Sequence, residues 1–247
     1  MKTILITGCS SGFGLETARY FLEREWAVIA TMRTPREDLL PQSDRLRILP
    51  LDVTDPESIR QCVEAAGPID VLVNNAGVGV LNALEGTSME TIRDVFETNT
   101  FGTIAMIQAV VPQFRQRMAG VIINVTSTVT LKPFHLLSVY AASKAAVNTF
   151  SECLALELAQ FNIRVNVVLP GLAPETSFGD NARTRMQNGI PEPYAAIAEA
   201  VFANFANPGP ITRSLDVAEV VWRAATDPAC PSRLPAGADA VALASAS

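Results

Sequence analysis

The sequence predicts an α/β protein with a doubly wound parallel sheet, and three observations lead there. Six short apolar runs, at 3–7, 26–31, 46–51, 71–74, 121–125 and 165–169, are rich in β-branched and aliphatic residues. They lack polar alternation, as strands buried on both faces do. Longer helical patterns at 14–25, 56–66, 89–118 and 138–160 separate them. This β-α-β-α punctuation calls for parallel strands joined by right-handed crossovers, the Rossmann arrangement. Finally, the 247 residues are 49% hydrophobic and 18% charged, with no Gly/Ser-rich or Pro-rich linker. That length suits one large domain over 1–247 rather than two.

Each element has its own local reason. The first run begins almost at Met1, without the basic segment and long apolar stretch of a secretory leader. No stretch reaches the roughly 20 uncharged residues that span a bilayer. A cytoplasmic protein is expected. Asp55 is placed to cap the helix at 56–66, with Pro56 as its first residue. The pattern at 89–118 should bend near Gly102 and Pro112. The segment 171–213 breaks the rhythm, being rich in Pro, Gly and Asn yet carrying Phe178, Met186, Tyr194, Phe202 and Phe205. It reads as an irregular substrate lid within the domain. Residues 236–244 are expected to add a last strand.

The formal net charge of −6 argues against nucleic acid or an anionic membrane as a partner. Cys9, Cys62, Cys153 and Cys230 are scattered and His135 is the lone histidine. Reduced thiols and no metal site are expected.

The first apolar run ends in Gly8-Cys9-Ser10-Ser11-Gly12-Phe13-Gly14, and a helix follows. Glycines there permit a tight turn and bring a pyrophosphate close to bare N–H groups at a helix N-terminus. Position gives the motif its weight, with a strand before it and a helix after. The second run ends at Met32-Arg33, where an acidic residue would accept bonds from the ribose hydroxyls of NAD(H). A guanidinium instead suits a 2′-phosphate, which favours NADP(H) over NAD(H). Asp52-Val53 and Asn74-Asn75-Ala76-Gly77 end the third and fourth runs, at the sheet edge where ligands bind.

Tyr140 and Lys144 stand four residues apart in a helical segment and so share a face. A free phenol ionises near pH 10, as a rule. A neighbouring ammonium favours the phenolate, which would let Tyr140 exchange a proton with a substrate oxygen. Ser127 follows the fifth run and could hydrogen-bond the same oxygen.

Taken jointly, these motifs resemble the short-chain dehydrogenase/reductase family over residues 2–171. Hydroxysteroid and retinol dehydrogenases are the members most similar in wording at the glycine turn. The resemblance implies that Tyr140 is the acid or base and Ser127 orients the substrate. It implies that Lys144 binds the nicotinamide ribose and Asn99 holds a water linking Lys144 to solvent. Asn75 would shape the adenosine side, and the Pro170-Gly171 turn would lie against the nicotinamide. It also implies a homodimer or homotetramer through the long helices.

Three places depart from the pattern. Thr176 falls one position late for the family threonine that contacts the nicotinamide amide. The C-terminus lacks Asp-Gly-Gly, and Glu25 stands where a glycine often ends the first helix.

The function expected is therefore an NADP(H)-dependent carbonyl reductase acting on an apolar ketone or aldehyde, or on the matching alcohol. His135, near the expected pocket, is a candidate substrate contact. A sugar epimerase or dehydratase would need a larger C-terminal domain. A nucleotide-sensing scaffold would have little use for Ser127, Tyr140 and Lys144 together.

Overall fold

The computed structural model describes residues 1–176, 178–186, 189–206 and 209–246, without the side chains at 180, 183 and 206. Seven strands form one sheet: β1 (Thr3–Ile6), β2 (Ala27–Met32), β3 (Leu46–Pro50), β4 (Val71–Asn74), β5 (Gly120–Val125), β6 (Ile163–Pro170) and β7 (Arg233–Ala236). Their order is β3-β2-β1-β4-β5-β6-β7, and every pairing is parallel. The order reverses between β1 and β4, the switch point at which such sheets open a ligand crevice.

The unalternating runs are explained by burial on two sides. Ile4, Leu5 and Ile6 are all fully buried, yet consecutive side chains face opposite layers. Ile4 and Ile6 join a core with α1 (Gly12–Leu22) and α8 (Ser214–Thr226). Leu5 joins a second core with α2 (Pro56–Ala66), α4 (Gly102–Arg117) and α5 (Ser138–Leu158). Asp55 caps α2 as its residue type predicts, accepting from the Glu57 N–H at 3.0 Å.

The pattern at 89–118 resolves into α3 (Met89–Phe96), a π-helical turn over Glu97–Phe101, and α4. Gly102 opens α4 directly after this turn. Pro112 lies inside α4, and the helix runs on past it. Glu25 has φ +62° at the end of the first helical pattern, the left-handed conformation for which glycine is the usual choice.

Two expectations need correction. The insert is not irregular throughout. It forms α6 (Phe178–Thr184), a 3₁₀ turn at Glu192–Tyr194 and α7 (Ala195–Ala206). The alanine-rich run from 195 has strong helix propensity, which outweighs the surrounding Pro and Gly. Positions 177, 187, 188, 207 and 208 of this segment lie outside the described residues. The last strand is Arg233–Ala236, and the stretch expected as strand at 236–244 is mostly α9 (Ala238–Ser245). Gly237, at φ +101°, ends the strand, and the alanines beyond it favour helix.

Candidate functional site

A cleft of about 1660 Å³ runs along the C-terminal edge of the sheet. The glycine turn and Arg33 line one end, and Ser127, Tyr140, Lys144 and Gly171 line the other.

At the first end the backbone is shaped by close approach. Gly8 and Gly12 have φ of +74° and +55°. A Cβ on Gly14 would lie 2.4 Å from the Gly8 carbonyl oxygen, so no larger residue fits. Asn75 braces the turn, donating from Nδ2 to the Thr7 and Gly8 carbonyls at 2.9 and 3.1 Å. The Thr7 hydroxyl accepts from the Asn75 and Ala76 N–H groups. Ser11 precedes α1 as its N-cap without a side-chain cap bond, and the first turn of the helix holds no acidic residue. Its leading N–H groups are thus available to an anion, with the helix dipole behind them. Ser10 and Ser11 are exposed there, and Phe13 packs on the core beneath. These features fit a dinucleotide pyrophosphate.

Arg33 is exposed just past β2. Asp52 turns its carboxylate to the Thr54 N–H and hydroxyl at 2.9 and 2.7 Å. Those bonds, with Arg33 as a lesser contributor, hold its carboxyl below the usual range. Val53 is buried against Gly102, where a Cβ would approach it at 2.9 Å.

The other end is built from buried side chains. Ser127 follows β5, and α5 carries Tyr140 and Lys144 one turn apart, all three at most 7% exposed. The Lys144 Nζ donates to the Val125 carbonyl at 3.0 Å. Asn99 sits in the π turn. Its Oδ1 accepts from the Val78 N–H at 2.8 Å, and its Nδ2 donates to the Val78 carbonyl and the Ser143 hydroxyl at 2.9 and 3.0 Å. Its side chain therefore ties the strand-end loop to α5. A Cβ on Gly77 would come within 3.2 Å of both Asn99 Oδ1 and Lys144 Nζ, so the glycine lets them converge.

The protonation of the pair differs from the sequence expectation. Burial raises the Tyr140 phenol above its ordinary value, and the Ser127 hydroxyl pulls weakly the other way. Burial also lowers the Lys144 amine to about 8. The expected acidification of the phenol by the ammonium is thus reversed in the protein alone. Both groups are nearly buried, and burial is the first cause of each shift.

The insert covers this end. The Phe178 ring lies 5.4 Å from that of Tyr140, centre to centre. A Cβ on Gly79 would strike the same ring at 2.7 Å. Arg185, just past α6, lines the cleft as Arg33 does, and its pKa is lowered by burial first and by Arg33 second. Arg185 carried no motif to mark it in the sequence, and Phe178 stood there only as one of several insert aromatics. Thr176 folds its hydroxyl back to the Ala173 carbonyl at 2.9 Å and packs on Gly12. His135 is exposed on the rim. Pro170 and Gly171 line the cleft where β6 ends. Among the described residues, no helix is long and apolar enough to cross a membrane.

The short chain dehydrogenase family matches this sequence over residues 2–187. Retinol dehydrogenase 8 from Bos taurus is 42% identical over 184 residues, covering 69% of this chain and 58% of that protein. A 3-ketodihydrosphingosine reductase from Bacteroides thetaiotaomicron is 41% identical, with 78% of this chain and 72% of that protein covered. The solved structure of a serine dehydrogenase complexed with NADP+ superposes with a TM-score of 0.81 at 31% identity, covering 95% of this chain and 94% of the other.

Proposed function

The chain belongs to the short-chain dehydrogenase family, and from that premise we propose that it is an NADP(H)-dependent oxidoreductase interconverting a ketone or aldehyde and an alcohol. The observation that carries this reading is the buried Tyr140 phenol beside Ser127 and one turn from Lys144, in a cleft that begins at an anion-ready glycine turn. When bound, the nicotinamide dinucleotide supplies or takes the hydride.

The side chains do the rest. The glycine turn and the start of α1 hold the pyrophosphate, and Arg33 holds the 2′-phosphate. Lys144 and Tyr140 hold the nicotinamide ribose. Ser127 donates a hydrogen bond to the carbonyl oxygen of the substrate, and Tyr140 gives that oxygen its proton. Burial keeps the phenol protonated at neutral pH, which suits reduction. For alcohol oxidation, a positive charge in the cleft would favour the phenolate Tyr140 then needs.

The Phe178 ring over Tyr140 supports an apolar substrate, as do the names of the retinol and ketosphingosine relatives. The chain spans 58% of the length of the retinol dehydrogenase it matches, and its substrate is proposed on these grounds alone. From the net charge of −6 and the family resemblance we further propose a cytoplasmic homodimer or homotetramer, with neither nucleic acid nor membrane as partner. Sedimentation would check the assembly.

The test is consumption of NADPH and of NADH with steroid, retinoid, β-keto ester and aryl ketone substrates. Faster consumption of NADPH with at least one apolar carbonyl is expected. Tight NADPH binding without turnover of any of them would favour a nucleotide sensor.

A further inference from the structure

The turn that ends β6 is held by groups from the far end of the chain. The Gly171 N–H donates to the Thr212 hydroxyl oxygen at 2.9 Å, and the Leu172 N–H donates to the Asp239 carboxylate at 2.6 Å. The Thr212 N–H donates back to the Leu172 carbonyl at 2.8 Å. The Thr212 hydroxyl has the Asp239 carboxylate at 2.6 Å and the Ala236 carbonyl at 2.9 Å as acceptors. Thr212 is fully buried.

Two glycines exist to admit these side chains. A Cβ on Gly171 would lie 2.0 Å from an Asp239 oxygen, and one on Gly237 would lie 2.1 Å from the Thr212 hydroxyl. Gly171 is therefore fixed by its neighbour and not by its own backbone angle. The C-termini of β6 and β7, the entry to α8 and the first turn of α9 meet at one charged, hydrogen-bonded knot. Gly171, Leu172 and Asp239 of the knot line the same cleft as Tyr140.

We propose that Asp239 and Thr212 are positioning residues that hold the Gly171–Leu172 backbone against the nicotinamide end of the cofactor. The inference rests on the cofactor reading above. A carboxylate that accepts two short hydrogen bonds is a stiff anchor, stronger than a neutral acceptor. Removing it frees the Leu172 N–H and lets the turn drift, which penalises only ligands that reach it. Asparagine preserves the knot. Its oxygen takes the Leu172 N–H, its amide donates to Thr212, and the Thr212 hydroxyl turns to the Ala236 carbonyl.

The experiment compares two probes by calorimetry on the full chain: NADPH, and adenosine 2′,5′-bisphosphate, which lacks the nicotinamide half. In Asp239→Ala the dissociation constant of NADPH is expected to rise about tenfold, while that of the bisphosphate stays within about twofold. Asp239→Asn should stay within about threefold of wild type for both probes. Should Asp239→Ala fail to fold, Thr212→Val supplies the same contrast, with Thr212→Ser as its rescue. Equal weakening of both probes, or of neither, overturns the positioning role. So does an Asn variant as weak as the Ala variant. If wild-type protein binds the bisphosphate but not NADPH, the cofactor reading falls and this inference with it. Normal wild-type binding with an unresponsive Ala variant sinks this inference alone.

Discussion

At the glycine-turn end of the cleft, the proposed recognition would fall to main-chain N–H groups, bare glycines and an exposed guanidinium. At the Tyr140 end it would fall to side chains that are nearly buried: Asn99 at 1% exposed, Lys144 at 5%, Ser127 and Tyr140 at 7%. On the proposed reading the first end would work by shape and by a helix dipole, so it would be sensitive to any added atom. On the same reading the second would depend on burial, so its chemistry would be set by what surrounds the functional groups as much as by their identity. Binding and reactivity should therefore separate under mutation.

The sharpest separation is expected from Tyr140→Phe. It removes one oxygen from a buried site and leaves the glycine turn untouched. Turnover (kcat/KM) should fall about 1,000-fold, within the range for loss of a general acid. NADPH affinity by fluorescence titration should weaken by no more than about tenfold, the loss of one hydrogen bond to the ribose. A matching collapse of affinity would mean that the two ends are not independent.

Gly14→Ala tests the other end. The added methyl meets the Gly8 carbonyl oxygen at 2.4 Å and the Asn75 amide at 2.5 Å, so the turn must open. NADPH affinity should drop up to about 100-fold, as overpacking of 1–3 kcal/mol implies. Turnover at saturating cofactor should change far less. Unchanged affinity would show that the turn does not carry the pyrophosphate. Arg33→Asp is milder and acts on selectivity. It should shift the ratio of NADPH to NADH affinity about 10- to 100-fold toward NADH, the scale of a charge-assisted bond. A variant that keeps its NADPH preference would pass that role to another cation, and Arg185, which lines the same cleft, is the first to examine.

The same contrast explains what could be read from the sequence. The glycine turn was legible because backbone geometry leaves a residue-level trace: only glycine fits at Gly14. Ser127, Tyr140 and Lys144 were legible because helical spacing and strand-end position bring them together. The direction of the Tyr140 shift was not legible, since dryness is a property of the packed fold. Phe178 reaches Tyr140 only because α6 folds back over the cleft, and the spacing of 178 from 140 says nothing of that. The C-terminal stretch misled because Ala236 is strand while Gly237, two residues before Asp239, turns the chain into a helix. The purpose of that turn, to seat Thr212 and Asp239 against Gly171, is visible only in three dimensions.

The smallest predicted effect tests dehydration directly, through stability. Burial lowers the Lys144 amine from 10.5 to about 8. Between those values the unfolded chain holds the proton and the folded chain does not, so stability rises with pH across that window. Below about pH 8 both states are charged, and the folded protein bears the full cost of burying the ammonium. Lys144→Met removes the titration and leaves Tyr140 in place. Relative to that variant, wild-type protein should gain about 2 kcal/mol between pH 7 and pH 10, from one pKa unit being 1.36 kcal/mol. Denaturant midpoints at several pH values would measure it. Parallel pH profiles for the two proteins would mean that water reaches the Lys144 amine. The dry end would then be wet, and the raised phenol of Tyr140 would lose its cause.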